Sequence, residues 1–220
     1  MKRNNTLLYV FAVISLTLFV TTTTLSIYTE YLWLDDWVGD QISSIANPTI
    51  IMVIESFSIF GSIEAIFLLS SLTLLIFVFQ KDWITSFFFA GLSLGGIVLN
   101  YVLKFIFQRT RPGEERVIAF FGHEFELASY SFPSGHTMRV TIFFIFLIYL
   151  IWRLRLNKGI TIALTSLFII IITGVSLSRI ILEAHYFTDI IGAISSSLFW
   201  FSAWLLLIRY TIAKRHPHSY

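Results

Sequence analysis

The chain contains no cysteine among its 220 residues, and only 13% of them are charged. The first absence excludes disulfides, iron-sulfur clusters, thiolate zinc sites and cysteine nucleophiles together. The second excludes an ordinary soluble domain, in which roughly 25% of residues carry charge. With 4 prolines and 11 glycines a collagen-like repeat is excluded, and an apolar fraction of 56% excludes disorder. A mean hydropathy of +0.81 leaves too few polar groups to cover a core of this size. Lipid must therefore be the solvent for much of the surface. These figures predict an all-α polytopic membrane bundle, one membrane-embedded domain over residues 1–220 without internal repeats.

A spanning helix needs about 20 mostly apolar residues. Six runs qualify, at 7–27, 62–79, 83–106, 137–152, 160–178 and 187–209. The first follows Met1-Lys2-Arg3 but is long and lacks a small-x-small cleavage site, so it reads as a retained span. Nine basic residues, Lys2, Arg3, Lys81, Arg153, Arg155, Lys158, Arg209, Lys214 and Arg215, fall in one alternate set of connections. That set is expected to be cytoplasmic, which puts both termini inside a plasma or inner membrane. The other set holds Lys104, Arg109, Arg111, Arg116, Arg139 and Arg179 with twelve of the thirteen acidic residues. Basic groups that break the orientation rule at the outer ends of spans three to five mark a candidate site. Segment 28–61, with Tyr28, Tyr31, Trp33 and Trp37 beside Asp35, Asp36 and Asp40, reads as an interfacial belt split at Asn47-Pro48. Gly91 and Gly95, with Gly96 adjoining, form a small-residue face for a neighbouring helix.

Charge near membrane depth is costly and by default functional, and three clusters carry it. Lys104 precedes Arg111-Pro112 by six intervening residues at the end of span three. Pro133-Ser134-Gly135-His136 precedes span four. There Ser134 suits a helix N-cap and Gly135 lets backbone approach a ligand, so the unpaired N–H groups and the positive dipole end form an anion cradle. His136 stands one turn away as a proton donor near neutral pH. The third cluster is Ser178-Arg179, then His185, then Asp189. A separation of four puts His185 and Asp189 about 40° apart on one helical face, so the carboxylate can hold one ring nitrogen and leave the other to attack. Three cations, an anion cradle, an oriented imidazole and a second histidine are what phosphoryl transfer requires, since its catalysis is mainly charge neutralisation and in-line placement. Two histidines among cations make a poor metal site, and no metal or other cofactor is expected.

The three strings, Lys-Phe-Ile-Phe-Gln-Arg-Thr-Arg-Pro from 104, Pro-Ser-Gly-His from 133 and Ser-Arg-Ile-Ile-Leu-Glu-Ala-His-Tyr-Phe-Thr-Asp from 178, stand in order and spacing. They resemble the type-two phosphatidic acid phosphatase superfamily of membrane lipid phosphatases, whose motifs are K-x6-RP, PSGH and SR-x5-H-x3-D. The resemblance implies that His185 attacks phosphorus to give a phosphohistidine, with Asp189 orienting it. It implies that His136 protonates the leaving group, and that Lys104, Arg111, Arg179, Ser134 and the Gly135 amide bind phosphate oxygens. The expected activity is metal-independent hydrolysis of a terminal phosphate from a lipid phosphate or diphosphate at the extracytoplasmic face. Undecaprenyl diphosphate, phosphatidylglycerophosphate and phosphatidic acid are the candidates; the short chain resembles compact bacterial members and favours the first two. Lipid phosphate and membrane lipids are the expected partners, and nucleic acid is not. Glu183 stands where many members of the family have a small residue, commonly glycine.

Arg109, Arg116 and Arg139 match no motif position and are expected to make interface or headgroup contacts. Glu55 and Glu64 fall near the entrance to span two, His123 in a solvated loop, and His216 and His218 in a basic tail. Loop 112–132, with Phe120, Phe121, Phe125 and Tyr130, is expected to shape specificity. The rival readings are an anion or lipid transporter, which predicts no phosphate release, and a phosphotransferase with an acceptor other than water.

Overall fold

The computed structural model describes residues 5–28, 32–45, 47–112, 118–120, 123–125 and 130–215. Among these described residues eight helices follow in order: α1 (Thr6–Tyr28), α2 (Trp33–Ile45), α3 (Pro48–Phe60), α4 (Ile63–Phe79), α5 (Trp83–Phe107), α6 (Gly135–Leu154), α7 (Lys158–Ile181) and α8 (Phe187–Arg215). Among the described residues α1, α5, α6, α7 and α8 are long and apolar enough to cross a membrane. Helix α4 coincides with the second expected span but has 17 residues, about 25 Å of rise. Helix α8 runs past the expected end at 209 to Arg215.

The all-α expectation holds apart from a short antiparallel pair, β1 (Ile118–Phe120) and β2 (His123–Phe125), with Ile118 opposite Phe125. Two residues connect these strands, a length that favours a hairpin over a further helical turn. The backbone of His123 therefore lies in a strand rather than in an irregular loop. Lys2, Arg3, Tyr31, Arg116, Phe121, His216 and His218, singled out in the sequence, lie outside the described residues.

Local chemistry sets the helix ends. Asp82 caps α5 by accepting from the Thr85 amide at 3.0 Å, and Ser62 caps α4 through the Ala65 amide at 3.1 Å. Asn47 caps α3 through the Ile50 amide at 2.9 Å, with Pro48 in the first helical position, where it lacks only an amide that would be unpaired anyway. The belt is thus two helices, and α3 packs on α7, with the Phe57 ring over Gly174.

The interior is built on α5, α6 and α8, where Phe88, Phe89, Phe143, Phe146, Val140 and Phe201 are buried. The Phe89 and Phe146 ring centroids lie 4.4 Å apart, a separation at which aromatic pairs add to simple area burial. Gly91 and Gly95 face the indoles of Trp204 and Trp200 from α8, which donate to the carbonyls of Phe88 and Leu92 at 2.9 Å each. A side chain at Gly95 would come within 2.2 Å of Trp200. Gly95→Val should therefore cost about 1–3 kcal/mol, the usual penalty of overpacking. Thermal unfolding in detergent checks this; an unchanged midpoint would remove the glycine face from the packing.

Helix α1 lies along α8, and Arg209 donates to the Asn5 side chain at 2.8 Å. Both ends of the described chain, and the turns carrying Lys81, Arg153, Arg155 and Lys158, therefore sit opposite the end where α5 and α7 finish and α6 and α8 begin.

Candidate active site

Chain segments far apart in sequence meet at that end. The Ser131 amide donates to the Arg109 carbonyl at 2.7 Å, and the Ser134 amide to the Asp189 carbonyl at 3.3 Å. Asn100 of α5 donates to the Pro133 carbonyl at 3.3 Å, and the buried Phe132 ring packs on Phe107 and Gly192. These bonds fix the stretch before α6, whose first turn is capped by Ser134 through the Thr137 amide at 3.4 Å.

Asp189 is fully buried at the start of α8. Its Oδ2 accepts from the Ser131 hydroxyl, from the Tyr186 amide at 2.9 Å, and faces His185 Nδ1 at 3.4 Å. Holding Nδ1 leaves Nε2 as the ring atom able to attack. The His185 contact is longer than a formed charge-assisted bond. Burial pushes the His185 imidazole down to about 3, against the opposing pull of Asp189. The ring is therefore neutral at neutral pH, with its attacking lone pair available.

The cations form a shell around this dyad. Lys104 is buried, and its ammonium donates to the Tyr130 carbonyl and, at 3.5 Å, to that of Ser131. Arg111 donates to the Ala184 carbonyl at 2.9 Å, and Arg179 to the Ser58 hydroxyl of α3 at 2.7 Å. Lys104 and Arg111 lie within electrostatic range of His185, and Arg111, Arg179 and His185 within that of His136. The eight motif residues thus gather at one end of the bundle. His136 Nδ1 lies 3.5 Å from Arg139 Nη2. A guanidinium can only donate, so Nδ1 is the acceptor there and the proton of a neutral ring sits on Nε2.

A family model described as the PAP2 superfamily matches residues 83–213, well over half of the chain. The chain belongs to that superfamily. Among solved structures this PAP2 member is similar to the first transmembrane PAP2 type phosphatidylglycerolphosphate phosphatase from Bacillus subtilis, at 21% identity. The match covers 92% of this chain and 96% of that one, with a TM-score of 0.73, and shows a shared fold. No curated protein matches. The chain is a multi-pass membrane protein with the PAP2 membrane-phosphatase fold.

Three features of this PAP2 site depart from what the motifs imply. Arg109, expected at the interface, is half-buried and bridges two carboxylates: Nη1 bonds Asp189 at 2.7 Å and Nη2 bonds Asp35 at 2.8 Å. Burial disfavours its charge, but Asp189 and Asp35 more than offset that and raise its pKa. Its guanidinium also lies 4.1 Å from the centroid of the Tyr186 ring. Asp35, expected in the interfacial belt, is buried and accepts from the Thr188 amide at 2.8 Å and hydroxyl at 2.7 Å. Helix α2 thereby caps α8 and holds the arginine that holds Asp189; its neighbours Trp33 and Trp37 are exposed. The third difference is local: Glu183 has φ +50°, a left-handed conformation that costs a side chain with a Cβ and suits glycine.

Two hollows adjoin the site. One, of about 400 Å³, is lined by His185, Tyr186, Glu183, Asp36 and Asp40. The other, of about 260 Å³, is an apolar groove between α4, α5 and α6 that ends at Asn100 and Arg139. Among the described residues no three His, Asp or Glu side chains are grouped as a metal would require.

Asp35→Asn should lower kcat about ten- to hundredfold, the value of one charged hydrogen bond, while KM changes far less. Parallel loss in KM on lipid vesicles would instead make Asp35 a substrate contact. The His185 shift has a definite sign as well: the folded value lies below the unfolded value of about 6.5, so its stability contribution is complete above that pH and is lost as pH falls toward about 3. The ¹⁵N shifts of His185 should therefore not titrate between pH 7 and about 4, and His185→Gln should flatten the fall in thermal midpoint over that window. A titration near pH 6.5 would contradict this.

Proposed function

We propose that this PAP2 protein is a metal-independent lipid phosphatase that removes the terminal phosphate of a lipid phosphate or diphosphate at the extracytoplasmic face of a cell membrane. The observation that carries the lipid reading is the apolar groove, which opens among exposed side chains such as Phe67, Leu94 and Ile97 and ends beside the His136 partner Arg139. A water-soluble ester would gain nothing from it, whereas each methylene of a hydrocarbon chain moved from water into it contributes about 0.8 kcal/mol. The orientation is supported by Lys81, Arg153, Arg155 and Lys158 at the end opposite the site.

In the first step His185 Nε2 attacks phosphorus, the N–P bond forms, and the bond to the leaving oxygen breaks in line. That oxygen takes a proton from His136 as imidazolium. Asp189 meets the positive charge that develops on the His185 ring, while Lys104, Arg111, Arg179 and the first amides of α6 neutralise the phosphoryl oxygens. In the second step water, admitted through the polar hollow, attacks phosphorus, gives its proton to His136 and releases His185 and inorganic phosphate.

Phosphate release from lipid phosphates by the purified protein in detergent, with excess chelator, tests the activity. Acid-labile, base-stable label from a ³²P-lipid should appear on His185 in quenched wild type and be absent from His185→Ala, which should also be inactive. Full turnover in that variant, or label on another residue, would overturn the nucleophile. Absence of release from every lipid would favour a transporter.

A further inference from the structure

We propose that Arg139 forms a second anion subsite on the leaving-group side and that the preferred substrate is a lipid diphosphate, whose retained phosphate Arg139 holds. The inference rests on the roles given above to His185 and His136. In-line transfer puts the leaving group opposite His185, on the His136 side. Arg139 stands there, three residues beyond His136 and on the same face of α6. Its Nη2 donates to the Gly61 carbonyl at 3.0 Å and faces His136 Nδ1 at 3.5 Å, and its buried Nε has no hydrogen-bond partner among the described residues.

The charge around Arg139 is unbalanced. Among the described residues no carboxylate lies within 4.0 Å of it, and Glu64 of α4 acts on it only through space. Arg179 and Lys104 add like charge. A half-buried guanidinium that lines an apolar groove together with Ile142, Phe143 and Leu74 carries a desolvation cost without a counter-ion, and a substrate that brings the anion offsets that cost. Gly135 keeps the way open, since a Cβ there would come 3.1 Å from Arg139 Nη1 and 3.4 Å from Asn100 Oδ1. The Nη2 contact to His136 must also break when that ring takes up the second proton it needs as an acid, freeing the guanidinium edge for the leaving group.

The chemistry that fits is an anion directly attached to the departing oxygen, with a hydrocarbon chain beyond it in the groove. A diphosphate supplies this. Phosphatidic acid leaves as a neutral alcohol, and a phosphatidylglycerophosphate carries its second phosphate across a glycerol.

The test compares a prenyl diphosphate, the prenyl monophosphate of equal chain length and phosphatidylglycerophosphate with full-length wild type, Arg139→Gln and Arg139→Lys in detergent. Wild type should favour the diphosphate over the monophosphate by about tenfold or more in kcat/KM. Arg139→Gln should lose about tenfold or more in kcat/KM on the diphosphate beyond its loss on the monophosphate, with partial recovery of that difference in Arg139→Lys. Wild type alone supplies an independent arm: inorganic pyrophosphate should inhibit more tightly than inorganic phosphate. Equal losses on all lipids with no such difference in inhibition would overturn the subsite, and a loss confined to phosphatidylglycerophosphate would overturn the diphosphate assignment. Absence of phosphate release from every lipid would instead overturn the phosphatase reading beneath it.

Discussion

A carboxylate with no exposed surface, Asp189, is the point on which the site depends. It accepts from Arg109, Ser131 and the Tyr186 amide, and faces the ring of His185. Those partners come from the stretch after α5, the stretch before α6 and the turn before α8. A buried charge is tolerated only when its lone pairs are met, so the pairing of Asp189 specifies how these segments must meet. Asp35 extends the chain of charges to α2. His185 is oriented by a network that the fold itself completes.

The bundle divides its work along its length. Toward one end, ring packing of Phe88, Phe89, Phe143 and Phe146 and the Trp200 and Trp204 indoles on glycine hold α5, α6 and α8 together. At the other, helix ends leave N–H groups, cations and two imidazoles around a space without a close-packed filling. The two hollows differ in kind. One is apolar and meets the site beside Arg139; the other is lined with acidic side chains and contains His185. Under the proposed function, the first would take a substrate with an anionic head and a hydrocarbon tail, and the second water.

Much of this was legible in the sequence because it obeys strict spacing. Apolar runs fixed the long helices to within a few residues, apart from the longer α8, and Asn47-Pro48 fixed the break between α2 and α3. The three charged strings stood out because charge is rare in this chain. Asp35 and Arg109 did not stand out, since they are 74 residues apart and no periodicity links them. Beside Trp33 and Trp37, Asp35 has the composition of an interface, and only the three-dimensional meeting of α2 with the start of α8 reveals its burial. Arg109 lies inside a recognised motif at an unassigned position, and its role depends on the partner that was hidden. Glu183 was visible as an oddity; its positive φ supplies the physical reason.

In the proposed mechanism His185 and His136 flank one phosphoryl-sized space, with cations around its equator. A structure of the protein with orthovanadate, which adopts the five-coordinate geometry of the transition state, tests it directly. Vanadium should be bonded to His185 Nε2, with an apical oxygen within hydrogen-bond distance of His136 and equatorial oxygens on Lys104, Arg111 and Arg179. Vanadate bound away from His185, or an apical oxygen pointing away from His136, would contradict it.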